Sequence, residues 1–592
     1  MTILGLSFFY HDAAAALVRD GQLVAACEQE RFSRNKHDSE FPEQAIQFCL
    51  KQAGITLEQV DHIVFYEKPF VKFDRILSCA LGTWPHSYKG FLKAIPIWMK
   101  DKIRLRSYIQ KKLSTDKDIL FCGHHMSHAA SAFLVSPFEK AAIITADGVG
   151  EWDSTCIGYG DGNRMVLEKK IEFPHSVGLF YSALTAYLGF KVNDAEWKVM
   201  GLAPYGEPKY VDPFMQLVDI KPDGSFRLNM DYYAHHWSES TMLNRWERLF
   251  GQPPRKPETE LAKYHYDIAR SGQAVVEKIM IGMATAVHRR YGFDDLCIGG
   301  GVGLNSVANW KILKQGSGFK NIFIQPAAGD DGGALGAAFW VWNCVLNQPR
   351  KFTMRHAYWG PEYSDEEIAA ALDRVGAKYE KLSREQLLDE TVKALASDKV
   401  IGWFQGRQEF GPRALGSRSI LANPGNPKMK DIINAKVKFR EWFRPFAPSV
   451  LKEAAHLYFE MPEGFDSPYM LLVPQVRQEW RAKLSAITHE DGTGRVQTVE
   501  RDIASLYYDL IKRWGEASGV PVILNTSFNV RGEPIVTTPE NAYNTFVKTG
   551  IDVLVMGSFV LRHKDQNVDF EKGMRESVNL EWSHAPAAVP AD

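Results

Sequence analysis

Apolar and polar positions alternate in a unit that occurs twice. ILGLSF reads as a strand, YHD breaks it, and AAAALVRDGQLVAACEQE reads as two more strands around the Asp-Gly pair at 20–21. More than a hundred residues later AAIITA, DGVGEWD and STCIGYGDGNRMVL repeat the sequence of strand, acidic turn and Asp-Gly hairpin. The repetition predicts two related halves. Between them FPEQAIQFCLKQAGI and KDKIRLRSYIQKKLS carry helical spacing, and residues 262–290 predict a long amphipathic helix. DDLCIGGGVGLNSVANWKIL and NIFIQPAAGDDGGALGAAFWVW each run from strand through a glycine turn into a helix.

The pattern changes at QPRKFTMRHAYWGPEYSDEE, where an irregular stretch precedes a new helix. This places a boundary near 352, with one domain over 1–352, a second over 353–582 and a disordered tail over 583–592. The second domain has its own strands, VIGWFQ, PVILNTSF and VLVMGSFVL. The duplicated strand–turn–strand unit is that of the actin-like class (sugar kinases and chaperones), in which phosphate is held between related halves. The expected fold is α/β.

The 592 residues include 70 Lys and Arg against 71 Asp and Glu, a net charge of −1 that argues against a nucleic-acid partner or an anionic membrane surface. Any anion site is therefore local. Seven scattered cysteines without a CxxC fit a reducing, cytoplasmic setting, and the start of the chain lacks a signal-peptide pattern. Residues 68–115 are long, aromatic and basic, and match no catalytic role.

CGHHMSHAASAF places His124 and His128 four residues apart, on one face of a helix and at metal-ligand spacing. His125 stands where a zinc protease would carry its glutamate, so that mechanism is excluded. A first-row metal held by two imidazoles needs oxygen ligands, and Asp147 and Asp330, each after a strand and among glycines, are the candidates. The alternative is that the histidines cap a helix or bond backbone carbonyls. The turns at 299–309 and 329–338 open helices, where N–H groups attract phosphate, yet neither is a Walker loop. Arg407, Arg413, Arg418, Lys438, Arg440, Arg444, Arg495 and Arg531 lie in Gly/Pro/aromatic segments and suit a small phosphorylated compound, with Arg440 an alternative ion-pair partner of adjacent Glu441.

Taken in order, GLSFFYHDAAAALV, HHMSHAASAF, ADGVGEW, EWKVMGLAPYG, GGVGLN, GDDGGALGAA, GRQEFGPRALGSRSI, FRPFAP, DGTGRVQTV and NTSFNVRGEP resemble the O-carbamoyltransferases of antibiotic and nodulation-factor biosynthesis over nearly the whole chain. The resemblance implies an actin-like domain followed by a YrdC-like domain. It implies that carbamoyl phosphate and ATP form carbamoyl adenylate in the second domain. The carbamoyl group then passes internally to the first, where a divalent metal, iron(II) in the family, accompanies its transfer to a hydroxyl of a small-molecule natural product. Carried over by position, His124, His128, Asp147 and Asp330 match the metal ligands, and Asp331 is disfavoured. His11 matches the catalytic histidine at the acceptor hydroxyl; its unperturbed pKa of about 6.5 would suit a base. Arg413, Lys438, Arg444, Arg495, Asn525 and Ser527 match the carbamoyl-phosphate site, and Gly300, Gly301 and Asn305 the turn near the adenosine.

Two other functions compete: a threonylcarbamoyl-adenylate enzyme that modifies tRNA, and a nucleotide-gated chaperone-type protein. The sequence does not name the acceptor and leaves the oligomeric state open, with a homodimer as one candidate.

Overall fold

The computed structural model describes residues 1–98, 102–238 and 240–566; the expected disordered tail, 583–592, lies outside them. The chain forms two compact units, one of residues 1–29 with 37–354, the other of 30–36 with the chain from 355 onward. The sequence reading draws 1–352 as one piece; residues 30–36 instead group with the second unit.

The first unit holds two five-stranded sheets of the same design. In the first, β1 (Thr2–Ser7), β2 (Ala14–Arg19) and β3 (Gln22–Glu28) form an antiparallel meander. β4 (His62–Phe65) and β5 (Ile119–Phe121) extend it in parallel from β1. The second half repeats this with β6 (Lys140–Ala146), β7 (Asp153–Asp161) and β8 (Arg164–Glu172). A small hairpin, β9 (Val218–Ile220) with β10 (Phe226–Leu228), intervenes. Then β11 (Asp295–Gly299) and β12 (Asn321–Ile324) extend in parallel from β6. The orders β3-β2-β1-β4-β5 and β8-β7-β6-β11-β12 are identical, which is the duplicated actin-like topology. The predicted Asp-Gly turn joins β2 to β3, with Asp20 and Gly21 at φ 51° and 81°, the left-handed pair a two-residue hairpin requires.

The two halves meet through helices. After β5 comes helix His124–Phe133, and after β12 comes helix Asp331–Trp340. These two pack on each other, and the second also lies on β1 and β2. Small residues permit the approach: a Cβ at Gly5 would stand 1.9 Å from the Ala334 carbonyl oxygen, and one at Gly336 1.9 Å from that of Ser127. The alanines after the histidines therefore serve close helix packing.

The second unit is built on an eight-stranded mixed sheet. Its strands are β13 (Glu380–Lys381), β14 (Ile401–Phe404), β15 (Arg418–Ala422), β16 (Ala447–Leu451), β17 (Gln497–Val499), β18 (Val522–Ser527), β19 (Val553–Met556) and β20 (Phe559–Arg562). Their order is β13-β20-β19-β14-β15-β18-β16-β17. VLVMGSFVL, read as one strand, is a hairpin turning at Gly557, where φ is 55°. Helices 384–396 and 505–518 cover a core around Trp403, Leu510, Trp514 and Ile523. Among the described residues no helix is long and apolar enough to cross a membrane.

Candidate functional site

The duplication brings four side chains to one point. His124 and His128 come from the helix after β5, and Asp330 is the N-cap of its counterpart after β12. Asp147 lies in the β6–β7 turn. His124 Nε2 is 3.1 Å from His128 Nε2, 3.0 Å from Asp147 Oδ2 and 3.6 Å from Asp330 Oδ1. His128 Nε2 is 3.5 Å from each of the same two oxygens. Atoms bound to one ion at about 2.0–2.2 Å stand roughly 3.0–3.6 Å from their neighbours, so this donor set fits a divalent metal. His124 and His128 expose 1% and 0% of their surface, and their imidazoles face carboxylates rather than the backbone, which removes the capping alternative. Burial disfavours their charge, but Asp330 and Asp147 outweigh it and raise both imidazoles, as burial of Asp147 is outweighed by the two histidines. A metal would compete with those protons.

Neighbouring groups orient the ligands. Tyr66 donates its hydroxyl to Asp330 Oδ2 at 3.2 Å. Gly301 N–H donates to Asp147 Oδ1 at 3.0 Å. Glu151, in the turn that carries Asp147, accepts the His124 N–H with both oxygens, at 2.9 and 3.1 Å. Its carboxylate thus docks the positive end of the histidine helix. His125 points elsewhere: Thr145 Oγ1 and the Asp153 carbonyl lie 2.8 Å from its ring nitrogens, and burial pushes it down to about 3.

His11 occupies the β1–β2 turn, the position of the first half that Asp147 holds in the second. Its Nδ1 donates to Asp12 Oδ2 at 2.7 Å. Burial lowers its basicity, but Asp12 and Asp330 together carry it to about 9, so it does not keep the ordinary value assumed from sequence.

The second unit gathers cations beside β18. Arg413 precedes β15, Arg495 precedes β17, and Lys438 ends the helical turn 434–438. Burial, then neighbouring cations, depress Lys438, Arg440, Arg444 and Arg495; Arg413 falls to about 10 through burial and Arg440 to about 9. The Nε atoms of Arg413 and Arg495 and Nη2 of Arg440 are buried without a hydrogen-bond partner. Lys438 donates to Ser527 Oγ at 3.2 Å, to the Asn529 carbonyl at 3.0 Å and to Asn529 Oδ1 at 2.8 Å. Asn525 donates to Ser449 Oγ and Gln497 Oε1, both at 3.1 Å, while its own Oδ1 is unpartnered.

The sequence matches the family model described as Carbamoyltransferase N-terminus over residues 2–339 and that described as Carbamoyltransferase C-terminus over 392–563. The chain belongs to the carbamoyltransferase family. It is 47% identical to an uncharacterized protein, sll1178, of Synechocystis, over 94% of this chain and 96% of the other. It is 39% identical to nodulation protein NolNO of Sinorhizobium fredii, over 98% of this chain and 82% of that one. Nodulation protein NolO of Bradyrhizobium diazoefficiens is 38% identical, over 79% of this chain and 81% of its own.

In this carbamoyltransferase the glycine turn at 300–305 has internal duties. Gly300 has φ 90° and a Cβ there would stand 2.3 Å from the Ala146 carbonyl oxygen. Gly301 holds Asp147, and Asn305 accepts the Ala308 N–H at 3.1 Å while exchanging hydrogen bonds with Gln273. Four further residues considered from sequence are placed as follows. Asp331 accepts the Gly332 N–H and is raised well above the carboxylate range by burial and then Asp12. Arg418 is wholly buried and donates to the carbonyls of Gln405, Gly406 and Pro361. Arg407 likewise donates to those of Trp359 and Gly360. Arg440 joins the cation cluster, because Glu441 lies 3.6 Å from Arg444 and 3.9 Å from Arg531. Glu151 and Tyr66 were missed because no local spacing links them to the histidines.

Guanidinium groups remain charged at neutral pH, so the depressions, caused first by burial and then by neighbouring cations, mark buried charge that a bound anion would stabilise. Inorganic phosphate is expected to stabilise the protein by about 2.7 kcal/mol at roughly 100 times its Kd. Arg495→Gln should abolish most of that shift, read by thermal unfolding against a chloride control. A phosphate response unchanged by Arg495→Gln would place the bound anion elsewhere.

Proposed function

We propose that this carbamoyltransferase is ATP-dependent and acts in two stages. Carbamoyl phosphate, ATP and one water give carbamoyl adenylate, phosphate and pyrophosphate in the second unit. The carbamoyl group is then transferred in the first unit to a hydroxyl of a small-molecule natural product, releasing AMP. The observation that carries the first stage is the cation cluster of Arg413, Arg440, Arg444 and Arg495, in which donor atoms of Arg413, Arg440 and Arg495 are buried and unpartnered. Preorganised guanidinium groups with Lys438 would offset the phosphate charge as it develops on the leaving group.

For the second stage, His124, His128, Asp147 and Asp330 would hold a divalent cation, iron(II) by resemblance. When bound, such a cation supplies Lewis acidity and neutralises phosphate charge. The chain's own residues handle the proton. With Nδ1–H committed to Asp12, the fraction of His11 that has lost its Nε2 proton, which grows as pH rises toward about 9, would present Nε2 to the acceptor hydroxyl and accept its proton as the oxygen attacks the carbamoyl carbon. Asp12 stabilises the imidazolium that results. Nucleotide contacts by Gly300, Gly301 and Asn305 form part of the same reading.

Mass spectrometry of hydroxyl metabolites incubated with the protein, carbamoyl phosphate, ATP and iron(II) is the test. Gain of one carbamoyl group, dependent on both co-substrates, is the expected result. His11→Gln should lower the transfer by about 10²–10⁴-fold while carbamoyl-phosphate-dependent ATP–pyrophosphate exchange persists. Exchange that proceeds without carbamoyl phosphate, or requires threonine and bicarbonate, would reject the proposal.

A further inference from the structure

We propose that His37 and Asp194 are positioning residues that, through Asp12, fix the orientation and tautomer of His11. The proposal rests on the reading of His11 as the proton acceptor. Four side chains from three separate loops form an unbroken series. His11 Nδ1 lies 2.7 Å from Asp12 Oδ2, His37 Nδ1 lies 2.7 Å from Asp12 Oδ1, and His37 Nε2 lies 2.8 Å from Asp194 Oδ1.

The chemistry of this series is directional. Each oxygen of Asp12 faces a different imidazole, so its carboxylate cannot rotate without breaking a bond to one of them. Both nitrogens of His37 face carboxylate oxygens, which accept only, so both carry hydrogen and the ring is an imidazolium between two anions. The second oxygen of Asp194 lies 3.7 Å from Lys191 Nζ. Asp12, held on its far oxygen, therefore presents Oδ2 as a fixed acceptor, which selects the Nδ1–H tautomer of His11 and leaves Nε2 as the basic atom. Asp330 and Glu196 are the other carboxylates that act on the His11 ring.

The backbone carries the series on tight turns. Asp12 and His37 adopt φ 55° and 57°, and Asn193, next to Asp194, adopts 61°. All three are in the left-handed region, which Asp, His and Asn enter more readily than other non-glycine residues. The four side chains expose between 24% and 28% of their surface, so the series is neither core nor open surface.

The test reads the tautomer without turnover, in the full chain labelled with ¹⁵N-histidine, with His11 resonances assigned by their loss in His11→Gln. Spectra are taken above the His11 value of about 9, where its ring is neutral, and wild type should there show Nδ1–H predominating. His37→Gln and Asp194→Asn should each move the Nδ1–H to Nε2–H ratio about tenfold toward Nε2–H, as expected for loss of one charge-assisted contact. Asp194→Glu, which can still reach His37, should restore much of the ratio. An unchanged ratio in folded His37→Gln and Asp194→Asn overturns the proposal. So does failure of the isosteric Asp194→Asn to fold, because the series would then be scaffold. Failure of the base assignment is seen separately, as undiminished transfer in His11→Gln.

Discussion

His128→Ala is expected to strip the first unit of its metal and lower carbamoyl transfer by about a thousandfold, with ATP–pyrophosphate exchange in the second unit unchanged. The reasoning is geometric. His128 Nε2 lies within 3.5 Å of His124, Asp147 and Asp330, at the centre of the donor set. Its removal leaves one imidazole and two carboxylates, a poorer set for a first-row ion. It also leaves the buried Asp330 and the partly buried Asp147, whose ligand atoms lie within 4.8 Å of each other, with one fewer cationic partner. Lewis-acid stabilisation amounts to several kcal/mol, and about 4 kcal/mol corresponds to the thousandfold loss. Elemental analysis of the purified variant beside wild type, followed by the transfer assay, checks both halves. Metal content and transfer that both survive His128→Ala would remove the metal centre, and with it the enzyme reading of the first unit.

The same geometry explains what could be read from sequence. The duplicated fold was legible because its signals are local: an apolar strand, an acidic turn and an Asp-Gly hairpin lie within thirty residues of one another in each half. The histidine pair was legible because helical periodicity alone puts positions 124 and 128 on one side. Asp147 and Asp330 followed from glycine-flanked turns after strands. The chain His11–Asp12–His37–Asp194 was not legible, since its last link spans 157 residues and nothing in the local pattern marks either end. Arg440 was ambiguous because adjacency in sequence made Glu441 its natural partner, whereas Arg440 Nε instead donates to Asn434 Oδ1 at 3.0 Å. The glycine turn at 299–301 raised the opposite difficulty. Its residues suit close approach of any backbone or ligand, and in the structure the approaching groups include Ala146, His128 and the Asp147 carboxylate.

Close approach also decides a substitution whose sign propensity alone would give wrongly. Gly336 lies inside helix Asp331–Trp340, and alanine there would gain up to about 1 kcal/mol in helix propensity. The new Cβ, however, would stand 1.9 Å from the Ser127 carbonyl oxygen and 2.8 Å from Ser131 N. Both obstacles are backbone, so relief requires the two helices to separate rather than a side chain to turn. Overpacking of this kind costs roughly 1–3 kcal/mol or more, and the upper end applies when backbone must move. Gly336→Ala is therefore expected to destabilise the first unit by at least about 2 kcal/mol. Gly282, in helix Lys263–Tyr291, supplies the contrast: its nearest neighbour would be the Gly224 Cα at 3.6 Å, an ordinary contact. Gly282→Ala is expected to stabilise by about 0.5–1 kcal/mol. Thermal unfolding of the two variants should thus shift in opposite directions. Because Ser127 lies between His124 and His128 on the displaced helix, Gly336→Ala should also weaken metal retention, whereas Gly282→Ala should not. Equal or favourable shifts from both substitutions would mean that the helices do not pack at this distance, and the convergence of the histidines on Asp330 would fall with that packing.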